Sequence, residues 1–484
     1  MKKKLNYILI IIFVLTLLMR LFFALSHPEF SGDESYLHLR IISHIKQSGF
    51  PMTYDPLSYG GRTFLYPQLF HYLMLPFSLI PILLKIILAI SASTIVLITY
   101  VISKEITGKK GVSLITALLS AFIPIEIQTN VNKLSVYSII LPLILLMFYF
   151  LMKIEKKRYL LYFMIISFIL PLLHPISFLI VFSFLFYMII SATESIELTK
   201  LKKEAMIFSA LLITLLNFLM FKKGLIRDGF SIVKSNISST LIEASQIEFN
   251  IIQYLYLLGI IPLILGIIGI YIGIFKKKNE NIILLSSSLL SIITLMILNV
   301  LEIGAGALLL SPFLIIISSL TLDRLSEYIK ITKFHKLRKY FITILVLMVL
   351  LFSVIPSVIT AVTSSRQSQE IEDLEWLSQN VNENTTIVSI PEQGNLITGI
   401  TNCKNVVDSN YILAPDLEER LNDVFYIYNT WSESKALQLL EKYDVDYILF
   451  TKKAKQKYGI NKLTYTENEK CFKQERETLY KVKC

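Results

Sequence analysis

The stretch His27-Pro28-Glu29-Phe30-Ser31-Gly32-Asp33-Glu34-Ser35-Tyr36-Leu37-His38-Leu39-Arg40 places two adjacent carboxylates, Asp33 and Glu34, just after the first apolar segment. A carboxylate fixed at the edge of a membrane can take a proton from an incoming hydroxyl, and such a base contributes roughly 10²–10⁴-fold to a rate. A structural role competes. Ser31-Gly32-Asp33-Glu34 also matches a capping box, in which Glu34 reaches back to the Ser31 amide. Asp33 would then complement the helix dipole. Capping and catalysis can coexist on one pair.

Groups that could hold an anion lie nearby in the sequence: Arg40, Arg62, Lys133 and His174, with Arg20 near the end of the first apolar run. Arginine suits phosphate because its planar fork donates two parallel hydrogen bonds. Arg62 follows Gly60-Gly61, which lets backbone approach a ligand closely. The structural alternatives are snorkelling for Arg20, a solvated helix face for Arg40, a loop ion pair for Arg62 and a loop hydrogen bond for His174. Glu126 and Glu302 each stand at the end of an apolar run, where an ionisable residue is a functional candidate or a wet interfacial carboxylate. No His/Cys spacing suggests zinc. If a metal serves, it is a hard cation such as Mg2+ or Mn2+, with Asp33 and Glu126 as oxygen ligands.

These residues need a scaffold, and the composition says which kind. Of 484 residues, 54% are hydrophobic and 17% charged, as in a polytopic membrane protein. Eleven apolar runs could cross a bilayer core of about 30 Å. They cover about 5–25, 81–103, 111–127, 134–152, 159–173, 176–192, 204–221, 251–275, 281–299, 304–322 and 340–361. His71–Leu79 is apolar but too short to span. The net charge of +11 could suggest nucleic acid, yet the Lys and Arg residues alternate by loop. They concentrate at 2–4, 104–110, 153–158, 200–203, 276–278 and 324–339, which the positive-inside rule assigns to the cytoplasm. The amino terminus is then cytoplasmic, and an odd number of spans leaves the tail outside. Nucleic acid is not an expected partner; membrane lipids are. The first run reads as a retained helix, because Leu25-Ser26-His27 is a poor signal-peptide exit.

The expected organisation is a membrane part over 1–363, with a large first outer loop at 26–80, and a soluble α/β tail over 364–484. A helix starting near Ser31, with Leu37, Ile41 and Ile45 on one stripe and Glu34, His38 and Arg40 elsewhere, would lie on the membrane surface. A second outer loop, about 222–250, carries Lys222, Lys223, Arg227, Lys234, Glu243 and Glu248 and could close over a cavity. In the tail, Glu370–Val381, Pro415–Phe425 and Ser434–Tyr443 have helical spacing, and Thr386–Ile390, Asn405–Asp408 and Asp446–Phe450 read as strands. Cys471 and Cys484 bracket a strand-like terminus, where a disulfide or two free thiols are both open. Asn236-Ile237-Ser238 and Asn384-Thr385-Thr386 are acceptor sequons.

One span, then a long loop opening with Gly32-Asp33-Glu34-Ser35-Tyr36-Leu37-His38, a Gly60-Gly61-Arg62 to Tyr66-Pro67 re-entry and an exported tail resemble the C-type (GT-C) superfamily of membrane glycosyltransferases. Glu375-Trp376-Leu377 and Val445-Asp446-Tyr447-Ile448 are similar to tail segments of archaeal and bacterial relatives. The resemblance implies a polyprenyl-phosphate-linked sugar as donor and an extracytoplasmic acceptor that is lipid, glycan or protein. It also implies inverting transfer, with Asp33 as base or acceptor-orienting carboxylate, Glu34 holding the acceptor and Arg62 near the donor phosphate. Two family features are absent: the Trp-Trp-Asp motif of oligosaccharyltransferases, and their second acidic pair, replaced by Glu126-Ile127-Gln128. A lipid-glycan flippase or transporter is the alternative, and a scaffold presenting the tail a third. Transport favours ionisable groups at mid-depth, whereas here they gather at the ends of the runs.

Overall fold

The computed structural model describes residues 2–229, 232, 251–276, 278–331, 338–365, 370–467 and 470–484. Lys234, Glu243, Glu248 and the Asn236 sequon therefore lie outside the described residues, as do residues 366–368 of the expected domain boundary.

Each of the eleven apolar runs is largely helical where described. Seven described helices are long and apolar enough to cross a membrane, from Leu5–Ala24 through Ile303–Ile331 to the segment beginning at Leu347. A further apolar candidate is a bent helix pair. Lys110–Ala121 and Pro124–Asn130 meet at a bend of 48° where one straight helix was expected. Phe122 leaves the helical region at φ −130°, and Pro124 restarts the chain at a first helical position, where its missing N–H costs nothing. Tyr137–Met152 and Ile260–Lys276 are shorter apolar helices. A continuous core of Leu, Ile and Phe side chains runs through the bundle, with Phe148, Phe184 and Phe313 stacked edge to face at its centre. Some buried serines return their hydroxyls to the carbonyl one turn back, as Ser287 does to Ile283 at 2.8 Å, which satisfies those donors within the apolar interior.

Five tail strands, β1 (Thr386–Val388), β2 (Lys404–Asn405), β3 (Tyr447–Leu449), β4 (Phe472–Gln474) and β5 (Leu479–Val482), form one sheet of order β2-β1-β3-β5-β4. The first three are parallel, while β4 and β5 form an antiparallel hairpin at one edge. A Cys471–Cys484 disulfide closes that hairpin, settling the alternative left open above. Helices Glu370–Asn380, Leu417–Asn429 and Glu433–Lys442 occupy the expected places. Gly394–Thr401 and Lys452–Tyr458 are additional, and both turn out to matter.

The first loop is not a separate surface feature. Tyr59 is packed inside the tail's apolar core, and Tyr36 joins Leu374, Leu396 and Tyr447 in a second cluster. The Asp33–Ser48 helix thus runs beneath the tail instead of lying along lipid. Its apolar stripe, Leu37, Ile41 and Ile45, is buried against Met52 and Phe64. The Gly394–Thr401 helix crosses it so closely that a Cβ on Gly399 would stand 2.7 Å from the Cβ of Tyr36. The loop and the tail share one end of the bundle.

Candidate active site

The start of the Asp33–Ser48 helix is built by stitching, not by a capping box. Gly32, at φ +82°, precedes the helix and no side chain caps it. The Ser31 hydroxyl and amide both donate to the Asn132 carbonyl, at 3.0 and 2.8 Å. Ser35 donates to the Ser31 carbonyl at 2.8 Å and accepts from the Leu134 amide at 3.0 Å. The side chain of Lys133 lies across Gly32, where an added Cβ would meet its Cε at 3.2 Å. The segment 130–134, after the bent helix pair, is therefore welded to the acidic pair.

Successive residues on a helix point about 100° apart, so the two carboxylates part company. Asp33 turns to the tail. Its Oδ1 accepts from the Leu396 amide at 2.8 Å, and its Oδ2 from the Asn395 side chain at 2.8 Å and the Ser409 hydroxyl at 3.0 Å. It thus sits on the first turn of the Gly394–Thr401 helix, where unpaired amides and the dipole favour an anion. Burial nevertheless raises its pKa to about 7, against the three hydrogen bonds that pull the other way.

Glu34 turns into a concavity at the end of the bundle. Its side chain keeps 59% of its surface open, with Oε1 3.6 Å from the Nε2 of His38 one turn along. Around it stand Lys133, His174, Glu302 and the phenols of Tyr66 and Tyr137. His174 meets Tyr66 and Tyr137 ring to ring at 6.2 and 5.5 Å, and its Nδ1 accepts from the Ile176 amide at 3.1 Å. Desolvation pushes the Glu34 carboxyl up, but the His38 hydrogen bond and the charges of His38, His174 and Lys133 outweigh it and hold the pKa below the ordinary value. Desolvation lowers His174 to about 4. Burial and the Glu34 charge raise Glu302. Burial lowers Lys133, with Lys453 of the tail helix Lys452–Tyr458 adding to the effect and Glu34 opposing it. The result is an ionised, water-facing carboxylate beside a lysine, a neutral imidazole and two phenols.

Four expected site residues do other work. Arg40 pairs with the buried Asp55 at 2.7 Å, so it is neither a solvated face nor open to a phosphate. Arg62 is buried against the tail. It contacts Asp408 at 3.4 Å, donates to the carbonyls of Asn410 and Ile412, and stacks over the Tyr59 ring. That geometry clamps two parts of the chain together and leaves no fork for a donor phosphate. Arg20 and Glu126 form a buried pair at 3.0 Å inside the bundle. Arg20 therefore does not snorkel, and Glu126 is not a wet interfacial carboxylate.

The donor set expected for Mg2+ or Mn2+ does not come together, because Asp33 is bonded to the tail and Glu126 to Arg20. Among the described residues no group of three or more His, Cys, Asp or Glu side chains could hold a metal ion. Sequence reasoning missed the His38–His71 contact, at 2.9 Å between His38 Nδ1 and His71 Nε2, and the Tyr66 and Tyr137 walls. The one available signal was a His one turn after Glu34; the others come from distant segments.

No family model matches the chain, and no characterised protein matches it by sequence. Solved structures do match it by shape. The oligosaccharyltransferase AglB from Archaeoglobus fulgidus, solved with an inhibitory peptide and a dolichol-phosphate, aligns at a TM-score of 0.63. The identity is 14%, over 92% of this chain and 69% of that one. ArnT from Cupriavidus metallidurans aligns at 0.53 and 11% identity, over 87% of this chain and 91% of its own. The arabinofuranosyltransferase AftD from Mycobacteria aligns at 0.52 and 14%, over 91% of this chain and 35% of its own. ArnT has also been solved bound to undecaprenyl phosphate, and the Archaeoglobus enzyme with zinc and sulfate. The chain has the fold of the C-type membrane glycosyltransferases.

Proposed function

We propose that this protein transfers a sugar from a polyprenyl-phosphate donor to a hydroxyl-bearing acceptor at the extracytoplasmic face of a membrane, with inversion at the sugar carbon. The observation that carries the reading is Glu34: an ionised carboxylate, open to solvent, in a polar concavity at the end of an apolar bundle of this fold. The likeness to proteins solved with dolichol-phosphate and undecaprenyl phosphate supports a lipid-phosphate donor. The basic loops support a cytoplasmic amino terminus with the cleft on the opposite side.

In this reading Glu34 accepts the proton of the acceptor hydroxyl as its oxygen attacks the anomeric carbon. The bond from that carbon to the phosphate oxygen breaks, and its electron pair leaves with the lipid phosphate. In this reading Lys133, whose charge acts on Glu34, would balance the negative charge that develops on the phosphate. A preorganised cation in a partly dry site is worth more there than in water. The neutral His174 and the phenols of Tyr66 and Tyr137 supply hydrogen-bonding walls for the sugar.

A second assignment has its own observation. Asp33, pushed up to about 7, has the pKa at which a base works best near neutrality. Its oxygens, however, already accept three hydrogen bonds from the tail. The two assignments separate cleanly by experiment. Purified protein would be assayed for transfer from defined polyprenyl-phosphate sugars, as wild type, Glu34→Gln and Asp33→Asn. Loss of about a hundredfold or more is expected for Glu34→Gln. Loss in Asp33→Asn alone would move the base to Asp33. Failure of the wild type with every lipid-linked donor would remove the transferase reading.

A further inference from the structure

Directly behind Glu34 lie two buried imidazoles that the transfer chemistry above does not use. His38 comes from the same helix as Glu34, and His71 from the short helix Leu69–Met74. Both are fully buried, walled by the rings of Tyr66 and Phe70. Among the described residues, their contacts to other polar side chains run in a line: His71 Nε2 to His38 Nδ1 at 2.9 Å, then His38 Nε2, which stands 3.6 Å from Glu34 Oε1, just beyond hydrogen-bond distance. At the far end the His71 ring meets the Gln68 backbone.

The carboxylate sets one proton position: an N–H on His38 Nε2 faces Glu34 Oε1, where a bare nitrogen would turn a lone pair toward an anion. His71 Nε2 abuts the other nitrogen of the same ring, His38 Nδ1, and the His71 ring is itself tied to the Gln68 backbone. The His38 ring is thereby held between His71 and Glu34.

We propose that His38 and His71 are positioning residues that hold Glu34 ionised and orient it, His38 occupying Oε1 so that Oε2 is the atom that receives the acceptor's proton. The inference rests on Glu34 being the base. His71 holds the His38 ring in the orientation that aims Nε2 at Glu34. The other groups facing Glu34 are Tyr66, Lys133, Tyr137, His174 and Glu302, which come from other elements and stay in place when the histidines are changed.

The variants are His38→Phe, which keeps the ring and removes both nitrogens, and His38→Gln, whose amide nitrogen reaches about where Nε2 does. His71→Phe is the third. Two readouts apply: kcat and KM for transfer, and the pH dependence of Glu34 modification by a hydrophobic carbodiimide, followed by mass spectrometry. The reagent attacks protonated carboxyls and needs no substrate. His38→Phe should lower kcat about ten- to hundredfold, the weight of a hydrogen bond to a charged group. It should also move the labelling midpoint up by about one pH unit, a tenfold change in the protonation equilibrium. His38→Gln should restore both, and His71→Phe should fall between.

An unmoved midpoint in folded His38→Phe overturns the proposal. So does a His38→Gln protein as impaired as His38→Phe, since packing alone would then explain the loss. If His38→Phe does not fold, a wild-type midpoint in His71→Phe is the overturning result. Labelling shifts without any transfer by the wild type would instead keep the histidine chain and remove the glycosyltransferase reading.

Discussion

At the scale of single residues, Asp33 and Glu34 divide their labour, one bonded into the tail and the other open to solvent. Two neighbouring carboxylates after an apolar run mark a place where chemistry is affordable, but which of them meets water depends on the tail, more than 360 positions away in sequence. The same holds for Arg20. Its partner, Glu126, arrives through a bend between two other helices, so from its own neighbourhood it reads as a snorkelling residue. Asp33 yields a prediction at this scale. Its carboxyl sits near 3.8 in the unfolded chain and is raised to about 7 in the folded one. The folded state therefore binds the proton more tightly, and this contribution to stability is present below about 4 and lost as pH rises to about 7. Thermal melts of the whole protein across that window should show Tm falling with pH in the wild type. In Asp33→Asn that component of the slope should disappear. A slope unchanged by the substitution would mean that Asp33 is not the titrating group.

At the scale of elements, hydropathy located the apolar helical runs because a bilayer demands length and apolar composition, and both are written locally. The Gly394–Thr401 helix escaped for the opposite reason. Eight residues with glycine at 394 and 399 carry little helical signal, and the glycines are there for contact: a side chain at 399 would collide with Tyr36. Arg62 belongs to this scale too, since its Gly-Gly setting suggested a ligand and its partners turned out to be the Asp408 carboxylate and two tail carbonyls. Removing one member of a buried pair leaves the other charge stranded, at a cost of about 3–5 kcal/mol. Arg62→Ala should accordingly lower the melting temperature and expose the junction between loop and tail to limited proteolysis. KM for a lipid-linked donor should be little changed in protein that remains folded. A large rise in donor KM at unaltered stability would return Arg62 to the binding site.

For the whole molecule, the first loop and the tail meet at one end of the bundle, and under the proposed function the basic loops would put that end outside. The direction can be tested with residues the fold leaves accessible. Cys403 is buried and Cys471 is bonded to Cys484, so the native chain should be silent toward a membrane-impermeant thiol reagent even if the tail is exported. Trp431, 87% exposed between two tail helices, is a site where a thiol would be reached from the surrounding solution. Trp431→Cys in intact cells should label without permeabilisation, while a cysteine in place of Arg158, in the exposed first turn of the Lys157–Leu173 helix, should label only after it. The reverse pattern would turn the cleft toward the cytosol, where the acceptor, the donor's leaflet and the assignment of the basic loops would all have to be reconsidered together.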